Sequence, residues 1–139
     1  MRIYENDDRD NELDEYVTYL LVCLGGRKEQ ARFFFTKKAI IYYFKLDRYV
    51  RLKELYEMLA KDFGKSPSAI QGNVRHFVDQ ICENARNDNI CAISFLPTGI
   101  IDESMYVNRF ISLMVEQVKK RFFLCDGKLM DLSDERSGK

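Results

Sequence analysis

The sequence is poor in helix breakers and in the residues that carry most chemistry. Two prolines and seven glycines in 139 residues leave little material for loops, which favours helices over a turn-rich β fold. There is a single histidine, His76, and the four cysteines, Cys23, Cys82, Cys91 and Cys125, form no CxxC pair. Metal-ligand spacing is therefore absent, and the thiols are expected to be free, in or near a reduced core. The chain has neither a phosphate-binding glycine loop nor a nucleophile motif. It is not expected to be an enzyme, and no catalytic residue, cofactor or metal is assigned. Asp7, Asp8 and Asp10 read as a solvated charge run. The longest apolar runs, YLLVCL (19–24) and AIIYYF (39–44), fall far short of the roughly 18–20 residues a membrane span needs. The acidic start MRIYENDDRDNELDE lacks the apolar stretch of a secretory signal. No membrane partner is expected, and the expected location is cytoplasmic.

What the chain does have is 46% hydrophobic and 32% charged residues with zero net charge. The charge is unevenly placed. Residues 1–26 hold 2 basic and 7 acidic side chains, residues 27–86 hold 13 and 7, and residues 87–139 hold 7 and 8. A basic excess confined to the middle fits an electrostatic footprint on phosphate. The length suits one domain. Residues 1–10 are expected to be an acidic flexible arm, 11–124 a single helical domain, and 125–139 a mostly disordered tail.

Apolar periodicity predicts an all-α bundle of about five to six helices. A first helix, capped by Asp10 or Asn11, runs to about Leu24, with Leu13, Tyr16, Val17, Leu20, Leu21 and Leu24 on one face and Gly25-Gly26 ending it. A second, from about Glu29 to Asp47, is apolar over much of its circumference and should lie centrally. Its aromatic side chains are expected to be core, not a base-stacking platform. A third spans about Arg51 to Phe63. After Gly64 and Lys65, Ser66 is the expected N-cap and Pro67 the first residue of a fourth helix reaching about Ala85. NARNDN (84–89) reads as a polar turn, and ICAISFLP (90–97) as a helical turn or an extended segment. A further helix runs from about Ser104 to Phe122. Asp126-Gly127 is a turn signal compatible with a small hairpin.

The unit LYEMLAKDFGKSPSAIQGNVRHFVDQI has the anatomy of a helix-turn-helix. Ala60 is small where two helices would cross, and Gly64 sits in the turn. Ile70 and Val74 face inward. The outward residues of the second helix are then Ser68, Ala69, Gln71, Gly72, Arg75, His76 and Asp79. Gln71 suits a base edge, most naturally adenine, and Arg75 suits guanine or phosphate. His76 suits phosphate, and Asn73 would reach a base only if the helix rolled. Lys61, Lys65, Arg51, Lys53, Lys37 and Lys38 are the phosphate candidates. Gly72 costs a helix about 1 kcal/mol relative to alanine. It fits either a close backbone approach or a position under no constraint.

Three pieces in order carry a resemblance: RFFFTKKAIIYYF, LYEMLAKDFGKSPSAI and GNVRHFVDQICENARNDN, followed by YVNRFISLMVEQVKKR. Over roughly residues 12–121 the chain resembles the C-terminal DNA-binding effector domain of sporulation initiation response regulators. The resemblance implies an all-α domain of about six helices that binds duplex DNA through the helix beginning at Ser66, in tandem copies. It places Arg75-His76 against the duplex. Where that family has an acidic-basic pair reading bases, this chain has Gln71-Gly72, so the family's DNA preference does not carry over. A phosphorylatable receiver is not expected within 139 residues.

The expected function is a DNA-binding transcriptional regulator, sequence-specific or weakly specific. Its DNA contacts would be Lys61, Lys65, Ser66, Ser68, Gln71, Gly72, Arg75 and His76. Double-stranded DNA is the expected partner, with a homodimer or tandem dimer on DNA, RNA polymerase, or another regulator as further partners. The alternative is a module of the same fold that binds a regulator or RNA polymerase instead of DNA.

Overall fold

The computed structural model describes residues 8–88, 103–125 and 127–132. The expectations for residues 1–7, for ICAISFLP, for Cys91, for Asp126 and for 133–139 lie outside the described residues. Five helices form the bundle: α1 (Asp8–Cys23), α2 (Ala31–Leu46), α3 (Leu52–Phe63), α4 (Pro67–Asp88) and α5 (Glu103–Lys119). A short antiparallel hairpin follows, β1 (Phe122–Cys125) and β2 (Lys128–Asp131), with Phe122 opposite Asp131 and Cys125 opposite Lys128. Among the described residues the fold is all-α apart from this hairpin.

The α2 helix lies at the centre, touching each of the other four helices. Its sequence requires this, because Phe33, Phe35, Thr36, Ala39, Ile40, Ile41, Tyr42 and Phe44 are all buried and cover most of its circumference. The aromatic residues are core, and they pack edge to face as ring quadrupoles prefer. Phe34 meets Phe63 of α3 at 5.3 Å between centroids, and Phe33 meets Phe77 of α4 at 5.8 Å. Phe77 in turn meets Phe110 of α5 at 6.3 Å. Leu13, Val17, Leu21 and Leu24 bring α1 into the same core.

The α1 terminus follows the expected glycine logic. Gly26 N–H donates to Leu21 C=O at 2.9 Å and Gly25 N–H to Val22 C=O at 2.9 Å, with Gly25 at φ 99°. This is a Schellman ending, which satisfies carbonyls that the last turn leaves open. Gly26 is held by crowding: a Cβ there would stand 2.8 Å from Cε1 of Phe77 and 2.9 Å from Cδ2 of Phe33.

Several boundaries differ from the sequence expectation. The α1 helix starts at Asp8, so Asp10 and Asn11 are inside it, and the Asp10 carboxylate pairs with Lys45 of α2 instead of capping. The α4 helix continues to Asp88, through most of the expected polar turn, because NARND contains neither glycine nor proline to stop it. The α5 helix ends at Lys119, and Phe122 opens β1 where the β-prone FFLC takes over. The tail expected from 125 belongs to the fold as far as Leu132. Leu129 and Asp131 are buried, and Leu132 N–H donates to Arg121 C=O at 2.7 Å. The described cysteines are free, as expected, and Cys82 is in the core; Cys23 and Cys125 depart from expectation in being exposed.

Candidate nucleic-acid interface

The α3 and α4 helices are joined by three residues, Gly64, Lys65 and Ser66. Gly64 takes φ 66°, a left-handed conformation that glycine adopts without a Cβ clash. Lys65 N–H then donates to Ala60 C=O at 3.0 Å, closing the end of α3. Ser66 is the N-cap of α4. Its Oγ accepts from Ala69 N–H at 3.1 Å, and its carbonyl accepts from Ile70 N–H at 3.2 Å. Pro67 occupies the first helical position, where its missing N–H costs nothing.

The inward residues of α4 are those the periodicity predicts: Ile70, Val74, Phe77, Val78 and Ile81 are buried. Ser68, Ala69, Gln71, His76 and Asp79 are exposed, and Gly72, Asn73 and Arg75 are half-buried. Ser68, Gly72, Arg75 and Asp79 recur at helical spacing and so lie along one stripe. A Cβ on Gly72 would meet nothing within 4 Å. No packing among the described residues requires glycine there. Asn73 Nδ2 donates back to Ala69 C=O at 2.9 Å, so its amide is held along its own helix.

The candidate phosphate contacts divide into two groups. Lys61, at the end of α3, and Lys65, in the connection, are exposed and make no ion pair among the described residues. The same holds for Arg51 and Lys53 at the start of α3. Lys37 and Lys38 are placed differently. Both reach Asp14 of α1, at 3.1 and 3.8 Å, and Lys38 also lies 5.5 Å from the centre of the Phe34 ring. With the Asp10–Lys45 pair, these contacts mean that acidic α1 neutralises basic α2. Part of the central basic excess is thus internal, whereas Arg51, Lys53, Lys61 and Lys65, on α3 and around it, make no ion pair among the described residues.

Between the start of α3, the first half of α4 and the start of α5 lies a cleft of about 400 Å³. Arg51, Lys53, Tyr49 and Tyr56 line one side, and Gln71 and Arg75 the other. Burial pushes the Tyr56 phenol up to about 12, and the Arg75 guanidinium opposes that shift. Sequence reasoning named four of these six residues but did not bring them together. Tyr49 was missed, its signal being an aromatic residue outside any apolar stripe, 72% exposed. Lys61 and Lys65 do not line the cleft.

Compared with protein-family models, curated proteins and solved structures, the chain finds no significant match.

Proposed function

We propose that α3 and α4 form a helix-turn-helix and that the protein binds double-stranded DNA, with α4 in the major groove, as a transcriptional regulator. The observation that carries this reading is the exposed face of α4. It starts at a capped N-terminus, is built of small residues around Gly72, and has basic side chains to either side in sequence: Lys61 and Lys65 before it, Arg75 and His76 within it. A thin helix face lets a duplex approach closely, and flanking cations position it on phosphate. On this reading Gln71, exposed near the start of α4, is the residue that selects a base. A salt-titrated binding measurement on random and selected duplexes tests it. Affinity should fall steeply with salt, and replacing Lys61 and Lys65 by alanine should flatten the slope by about one per lysine. Undetectable binding at low salt would refute the reading.

A second reading has its own observation. Asp79 is exposed on the same stripe of α4 and Glu83 is exposed one turn later, and anions there oppose a phosphate backbone. On this reading the domain binds a regulator or RNA polymerase. A protein partner retained after nuclease treatment, without protection of any duplex, would favour it.

A further inference from the structure

The outer face of α1 carries apolar side chains that the bundle does not use. Among the described residues the large apolar side chains left exposed are Tyr19, Val22 and Tyr49, and two of these share α1. Tyr19 is 62% exposed and Val22 43%. With exposed Cys23 they stand three and four residues apart, so they form one stripe. The stripe lies opposite the buried face of Leu13, Val17, Leu21 and Leu24. Tyr19 and Cys23 share a side-chain hydrogen bond, which raises the phenol and occupies the polar atoms of both. A helix that is apolar on two faces is normally covered on both. Charge along the stripe suits a reversed copy of itself. Glu15 lies before the apolar centre, and Arg27 and Lys28 follow it beyond the Schellman turn. All three are exposed and make no ion pair among the described residues. Exposed Glu29 offsets one of the two cations, so one end is acidic and the other basic by a single charge each. Nearby Arg9 and Glu12 pair with each other at 3.3 Å, and Arg121, beside Tyr19, is engaged by Asp131 at 3.5 Å. Turned end for end about a point between Tyr19 and Val22, the stripe lays Tyr19 on Val22 and brings Glu15 to the basic end. A surface complementary to itself is what a two-fold interface requires.

We propose that α1 pairs antiparallel with α1 of a second copy of this chain, each Tyr19 against the partner's Val22 and each Glu15 beside the partner's Arg27 and Lys28. Opposed helix dipoles add to the fit. A patch centred on two apolar side chains is small for a specific interface, so the association is weak and reversible. The pairing uses no residue assigned to DNA and stands independently of that assignment.

The test is sedimentation equilibrium of the whole chain without DNA, from about 10 μM to about 1 mM, combined with site-resolved alkylation of its cysteines. A reversible monomer–dimer equilibrium is expected. Cys23 should be alkylated more slowly as the dimer forms, while exposed Cys125 keeps its rate. Tyr19→Ser with Val22→Ser should weaken the dimer by at least about tenfold and leave the urea midpoint of the monomer nearly unchanged. Glu15→Lys should weaken it by about threefold to tenfold, and so should Arg27→Glu. The two together should restore it, because each then faces its opposite again. A chain that stays monomeric throughout the range would overturn the pairing. So would a dimer untouched by the Tyr19 and Val22 double variant, assembly that continues past two copies, or charge reversals that do not rescue each other. Cys23 shielded equally in the monomer would also overturn it, since the chain itself would then cover the stripe.

Discussion

Gly72 and Gly26 show how differently two glycines can be held. Gly72 is open on its outer side, so Gly72→Ala should stabilise the protein by about 0.5–1 kcal/mol, measured by urea unfolding. If a duplex approaches there, the same variant should lose DNA affinity while gaining stability. Gly26→Ala should do the opposite, costing about 1–3 kcal/mol, because the Phe77 and Phe33 rings it would strike are themselves buried. Tyr56 supplies a pH prediction. Its folded-state value near 12 lies above the ordinary 10.0, so its contribution is complete below pH 10 and is lost as pH rises towards 12. About 2–3 kcal/mol should disappear across that window, and Tyr56→Phe should remove that component of the alkaline loss. Such residues were only half legible in sequence. That Gly72 faces outward follows from periodicity, whereas the rings crowding Gly26 come from residues distant in the chain.

At the scale of elements, local chemistry was read correctly where it is self-contained. Gly64 in a left-handed turn, Ser66 as cap and Pro67 as first residue are all decided by neighbours within a few positions. Ser66→Ala should therefore cost about 1 kcal/mol, seen as a lower urea midpoint with an unchanged slope. What failed was chemistry that depends on a partner element. Lys37 and Lys38 look like phosphate ligands in isolation, yet they belong to the α1–α2 contact through Asp14. Asp10 looks like a cap, yet it reaches Lys45 across the same contact. The hairpin lay between these cases. Its turn signal was local, but its hold on the fold comes from burial of Leu129 and Asp131, and from Arg121, whose guanidinium lies 3.5 Å from Asp131 and over the Tyr16 ring. The cleft was the least legible feature, because it is assembled from three helices and from Tyr49, which belongs to no helix.

For the molecule as a whole, the architecture separates what holds the fold from the face proposed to meet a partner. The core rests on α2 and on rings contributed by α3, α4 and α5, and none of the residues assigned to DNA belongs to it. Replacing Gln71 and His76 together should therefore leave the unfolding free energy within about 0.5 kcal/mol, while, on the proposed DNA reading, changing which duplex is selected in a competition assay. Gly26 stands on the other side of this separation. The outer face of α4 can change without touching the core, so on the proposed reading a reader of one sequence can become a reader of another, or a binder of protein, one exposed position at a time. A side chain where α1 hands the chain to α2 meets two buried rings instead and costs stability. Descendants that have parted company in every contact they make with the outside should still be recognisable by that one silent position and the two rings pressed against it.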